Sequence, residues 1–124
     1  MKILFNNTIF FNQRFGGISR YFVNLAKSLE NINLDYSVIS PIYKNLYLKE
    51  LNKKNVKGLF IKRYPNSNFI ENFNNFFENQ NIKKIKPHII HDTYYSKNLY
   101  ENSEFKKIIT VHDLIYENFS KYYS

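Results

Sequence analysis

Three stretches carry the residues whose types and spacing could do chemistry. Gly16 and Gly17 stand directly before an apolar-periodic segment. Paired glycines there let a ligand approach the main chain, and the helix start behind them offers free N–H groups and a partial positive charge, suited to a phosphate. A plain turn is the competing reading, because the dinucleotide fingerprint G-x-G-x-x-G is absent. Arg20 falls in the first turn of that segment, where a cation is mildly unfavourable and calls for a compensating phosphate or carboxylate. An ordinary surface arginine is the alternative. His112 and Asp113 follow a short β-branched run; an imidazole there can hydrogen-bond a hydroxyl or move a proton near neutral pH, or be structural. His91-Asp92-Thr93-Tyr94 ends another apolar run, with Tyr94 the first of several tyrosines that could stack on a ligand or simply pack. His88 and His91, three apart on one expected strand, face opposite ways and make a poor metal pair, so no metal site is expected; no cofactor is expected either.

These residues need elements to position them. Lys2 to Phe5 reads as a first strand, followed by a loop that reaches Gly16-Gly17. Ile18, Phe22, Leu25, Ala26 and Leu29 line one helical face, predicting a helix that ends near Asn31. Asp35 to Ser40 alternates and is expected to stop at Pro41; a weaker helical segment follows over Asn45 to Lys53, then a third strand over Val56 to Lys62. Asn68 with Glu71 resembles a capping box, and Phe69, Phe73, Phe76 and Phe77 continue at helical spacing to a basic end before Pro87. His88 to Asp92 and Lys107 to Val111 complete five strands. The alternation predicts an α/β fold: a Rossmann-like parallel sheet with flanking helices, in order 3-2-1-4-5, truncated after about the fifth strand. Ligands of such sheets sit beyond the carboxyl ends of the strands, here between the first and fourth.

Composition bounds the function classes. The 124 residues suggest one domain. Aromatics at 19% supply ample surface to bury and argue against disorder. The net charge of +8 would suit phosphates, but it accompanies a general bias to Asn, Lys, Ile, Phe and Tyr, so no nucleic acid is expected as partner. The absence of cysteine excludes disulfides and a thiol nucleophile. No apolar run approaches a membrane span of about 20 residues, so the expectation is a soluble cytoplasmic protein, with peripheral association at the inner membrane face left open.

Together the segments resemble the N-terminal, acceptor-side domain of family 4 glycosyltransferases of the GT-B fold. Phe10-Phe11-Asn12-Gln13-Arg14-Phe15-Gly16-Gly17-Ile18-Ser19-Arg20-Tyr21-Phe22 is similar to that family's opening element. His91-Asp92-Thr93-Tyr94-Tyr95-Ser96 resembles its His-x-Thr-Tyr-Tyr segment, and Thr110-Val111-His112-Asp113-Leu114 its later signature. The resemblance implies retaining transfer of a sugar from a nucleotide-sugar to a glycan or lipid-linked acceptor, in a cleft between two Rossmann-like domains and without an obligatory metal. It makes His112 the candidate catalytic residue beside the donor sugar, though not an assigned general base. Gly16, Gly17, Arg20, His91, Tyr94 and Asp113 become candidates for donor or acceptor binding. Family members often carry an acidic residue where Asn6 stands. The donor domain has no counterpart in the 124 residues, so the isolated chain is expected to be inactive unless a second chain supplies it. The alternative is a small flavodoxin-like or receiver-like module that binds a ligand or partner without catalysis, although Asn6-Asn7 replaces a receiver's acidic cluster.

Overall fold

A computed structural model describes residues 1–65, 67–94 and 105–110. Five parallel strands, β1 (Lys2–Phe5), β2 (Asp35–Tyr43), β3 (Val56–Phe60), β4 (Ile89–Asp92) and β5 (Lys106–Ile109), form one sheet in the order β3-β2-β1-β4-β5. This Rossmann-like order is the expected one, and it differs from the 2-1-3-4-5 order of flavodoxin-like folds.

Helix α1 (Thr8–Asn12) and helix α2 (Gly17–Asn31) follow β1, and helix α3 (Asn68–Ile85) precedes β4. Because side chains alternate along a strand, Phe5, Tyr36 and Val38 pack with Phe22, Val23 and Ala26 of α2 on one face, while Leu4, Ile39 and Ile90 meet Ile82 of α3 on the other. Helices on both faces are what make a doubly wound sheet.

Several expectations are revised. The connection after β1 is not all loop: Ile9, Phe10 and Phe11 of α1 are buried, closing the core over the strand ends. Strand β2 does not stop at Pro41 but runs to Tyr43, its pairing with β3 shifting register between Ile39 and Ile42. Proline lacks an N–H, so it sits where the ladder is irregular. Gly58 of β3 makes this possible: its φ of +155° disfavours any side chain, and a Cβ there would lie 1.8 Å from the Ser40 carbonyl oxygen. The segment from Asn45 to Lys53 holds a 3-10 turn at Tyr47–Glu50 rather than a helix. Finally, the fifth strand, expected over Lys107 to Val111, begins at Lys106, and Lys106–Ile109 is exposed throughout although its Ile108-Ile109 pair is apolar.

Helix α3 is capped by Ser67, whose Oγ accepts from the Ile70 N–H at 3.2 Å, one residue before the expected cap. It ends at Lys86, which adopts a left-handed conformation with φ 52° immediately before Pro87. Its four phenylalanines lie at the surface, and Asn74, Glu78 and Ile82 are the residues it buries.

Candidate functional site

The carboxyl ends of β1 and β4, adjacent in the sheet, are joined by a buried polar network. Asn6 continues β1 and is fully buried. Its Oδ1 accepts from the Thr93 N–H and hydroxyl, both at 2.8 Å, and its Nδ2 donates to Asp92 Oδ1 at 2.8 Å. Thr93 Oγ1 in turn accepts from the Ile9 N–H at 3.0 Å, tying the start of α1 to the end of β4. Lys107 of β5 reaches the other Asp92 oxygen at 3.0 Å.

On the opposite side, α3 turns its polar stripe inward. Glu78 accepts from the Asn7 N–H at 2.8 Å. Asn74 donates to Asn7 Oδ1 and to the Ile42 carbonyl, while its own Oδ1 accepts from the Ile42 N–H at 2.7 Å. Asn7 lies beyond the end of β1, and Ile42 lies in the part of β2 that runs past its last pairing with β1; buried unpaired backbone groups are costly, so these side chains take the place of a neighbouring strand. The result is a rigid floor beneath the crevice where the strand order reverses.

The glycine turn opens α2, which packs on β4 through Phe22 and His91. Gly16 adopts extended backbone ahead of α2, and a Cβ on it would meet Gln13 Oε1 at 2.6 Å; a Cβ on Gly17 would meet nothing within 4 Å. Open space at Gly17 is the local geometry that permits close approach of a ligand. The turn is held from below by Asn45, which donates to the Gln13 carbonyl at 2.9 Å, and by the Leu46 N–H bonded to the Arg14 carbonyl. The exposed rings of Phe15 and Tyr21 flank it.

Arg20 projects toward the 3-10 turn after β2. Its guanidinium pairs with both oxygens of Glu50, at 3.1 and 2.9 Å, and stacks 3.8 Å over the Tyr47 ring. The compensating anion is therefore Glu50. The Arg20 hydrogen bond, with a second from Lys27, holds the Glu50 carboxyl down at about 2. His91 faces the interior: its ring packs against Phe5 and, edge to face, Phe22, and Nε2 is 2.7 Å from Thr110 Oγ1. It links β4, α2 and the end of β5. Tyr94 is 39% exposed where β4 leaves the sheet. His112 and Asp113 lie outside the described residues.

Gly16, Gly17 and Arg20 thus lie at the start of α2, with Arg20 turned to Glu50, and His91 and Tyr94 lie at and after the end of β4; α2 and β4 meet through Phe22 and His91. Sequence reasoning did not single out Asn7, Asn74, Glu78 or Glu50 as partners. Only Asn74 and Glu78, four apart among the phenylalanines of α3, left a readable trace: an i, i+4 polar pair on one helical stripe. Among the described residues no group of three or more His, Asp or Glu side chains is placed to hold a metal ion. Nor is any helix there long and apolar enough to cross a membrane.

The fold has a solved counterpart. It is similar to the crystal structure of a glycosyltransferase from Rickettsia africae ESF-5, with a TM-score of 0.56 and 21% identity over 98% of this chain. The chain spans 33% of that protein's length. At this identity the likeness establishes the fold. No family model matches the sequence, and no curated protein matches it.

Proposed function

We propose that the chain forms the acceptor-side Rossmann-like half of a retaining family 4 glycosyltransferase of the GT-B fold. One observation carries the reading. The Asn6-Asp92-Thr93 floor lies at the switch point between β1 and β4, the open Gly17 turn begins the helix whose Phe22 packs on His91 of β4, and the backbone is similar to that of a glycosyltransferase over 98% of this chain. The strand order favours this over the flavodoxin-like alternative.

In this reading the Gly16-Gly17 turn and the α2 N-terminus approach the donor phosphates, and His112 and Asp113 bring a hydrogen-bonding pair to the donor sugar. Arg20 acts by fixing the 3-10 turn through Glu50, and His91 by setting the relation of β4 to α2. Tyr94 offers a ring at the rim for the acceptor. A donor-binding domain, from further length of the protein or another chain, supplies the nucleotide site.

The test is sugar transfer from a panel of labelled nucleotide-sugars, with the chain alone and completed by a donor-binding domain. Transfer by the completed protein only, with kcat reduced by His112→Ala at unchanged melting temperature, is the expected result. Robust turnover by the chain alone removes the need for a donor domain; no transfer in any combination overturns the reading.

A further inference from the structure

A second recess opens at the carboxyl ends of β2 and β3. It has a volume of about 500 Å³ and is lined by Asn12, Arg14, Lys44, Lys62, Arg63 and Tyr64. Four of the six are cations, and none of the lining residues is acidic. None of the four cations forms an ion pair among the described residues.

The three segments that supply them are fixed to one another by four hydrogen bonds, three of them between main-chain groups. The Lys44 N–H bonds the Phe10 carbonyl and the Leu46 N–H bonds the Arg14 carbonyl; the Ile61 N–H bonds the Tyr43 carbonyl, and the Tyr64 hydroxyl donates to the Phe11 carbonyl. Lys44 lies 5.2 Å from the centre of the Tyr64 ring. Burial pushes the Tyr64 phenol above its ordinary value, so at neutral pH it adds no negative charge to offset the cations.

Like charges held together on a rigid frame repel, and an anion that enters relieves the repulsion and gains charge-assisted hydrogen bonds. Two guanidinium forks and two ammonium groups exceed what one carboxylate can neutralise. A phosphate, with about two negative charges and three acceptor oxygens, matches the set, and arginine favours such planar, bidentate recognition. The recess also adjoins the glycine turn, since Arg14 belongs to both.

We propose that this basic recess binds the phosphate group of the acceptor. The identity of the ligand as acceptor rests on the glycosyltransferase reading; phosphate binding itself does not, and can be measured without any transfer. The source of the phosphate is a soluble phosphate ester or a lipid headgroup.

The experiment titrates the chain with inorganic pyrophosphate, glycerol 3-phosphate and succinate, by calorimetry and thermal shift. In parallel it measures sedimentation with phosphatidylcholine vesicles with and without phosphatidic acid. The cleft variant is Lys62→Gln/Arg63→Gln, both exposed; the control is Lys83→Gln/Lys84→Gln, equally exposed at the end of α3. Pyrophosphate is expected to bind saturably and raise the melting temperature by several degrees at large excess. The cleft variant should weaken it at least tenfold, and the control less than twofold. The ligand-free cleft variant should melt no lower than the parent, because two repelling cations are gone.

Loss of vesicle binding in the cleft variant alone assigns the phosphate to a lipid headgroup. Binding of glycerol 3-phosphate without vesicle binding assigns it to a soluble ester. Equal weakening in both variants, or succinate binding as tightly as pyrophosphate, reduces the effect to general charge and overturns the proposal. Pyrophosphate binding that persists while no sugar transfer is found would sink the glycosyltransferase reading and leave the phosphate site standing.

Discussion

Asn6→Asp is the most informative single change, because it installs an acidic residue at a position where the resembling family often has one. In this chain Asn6 Nδ2 donates to Asp92 Oδ1 at 2.8 Å, and both side chains are essentially inaccessible to solvent. The substitution keeps the oxygen that accepts from Thr93 but turns the donor into a second oxygen, so two buried carboxylates face one another. Two carboxylates sharing a site raise one of their pKa values strongly. Each unit of such a shift costs about 1.4 kcal/mol at a pH above it. A rise of about two units costs about 3 kcal/mol at neutral pH, and Lys107 on the far oxygen of Asp92 offsets part of it. For a domain of this size that amounts to a melting temperature lower by about 10 °C. The sign follows from linkage: a raised folded-state pKa leaves the penalty absent below the unfolded value of about 4 and growing as pH rises toward the folded one. A single bound proton also restores an O–H donor in place of the amide. The gap between variant and parent, read by thermal melts in low-salt buffers from pH 4.5 to 8, should therefore open with pH. A gap independent of pH, or a variant as stable as the parent at pH 8, would refute the network. Asn6→Ala should cost about 3 kcal/mol at neutral pH, because it removes the acceptor of the Thr93 N–H and a donor to Asp92.

Further expectations follow from the same contacts. In Arg20→Gln, a carboxyl titration by NMR should find Glu50 moved up from about 2 toward the ordinary range, since the Arg20 bond is the largest cause of its depression. The parent therefore keeps this link above the unfolded pKa and loses it only as pH falls toward 2; no movement in the variant would dismiss the pairing. Gly58→Ala should destabilise by about 3 kcal/mol or prevent folding, because its Cβ meets the Ser40 carbonyl at 1.8 Å and its φ is positive. Gly17→Ala, with no atom within 4 Å of the new Cβ, should shift the melting temperature by no more than about 2 °C, so an effect on transfer by a completed enzyme would report on the ligand. Ser67→Ala should cost about 1 kcal/mol by denaturant titration while Asn68→Ala costs a few tenths; the reverse ranking would return the cap of α3 to Asn68.

The alternation of strands and helices, the 3-2-1-4-5 order and the extent of α2 were legible because periodicity reports which face of an element is apolar, and crossover handedness then leaves few topologies. Other features depend on contacts between residues far apart in the chain. Proline reads as a strand terminator, but Gly58, on the neighbouring strand, leaves room for β2 to pass through Pro41. Helical spacing placed the phenylalanines of α3 on one stripe without saying which stripe is buried. The unpaired backbone of Asn7 and Ile42 decided that, by drawing Asn74 and Glu78 inward. The sequence likewise marked Arg20 as a cation in want of an anion, and only the tertiary structure found it in Glu50, thirty residues on. Local pattern determines elements, because it depends on neighbours along the chain. Partners for buried polar groups are chosen in space, and that choice built the floor of the crevice.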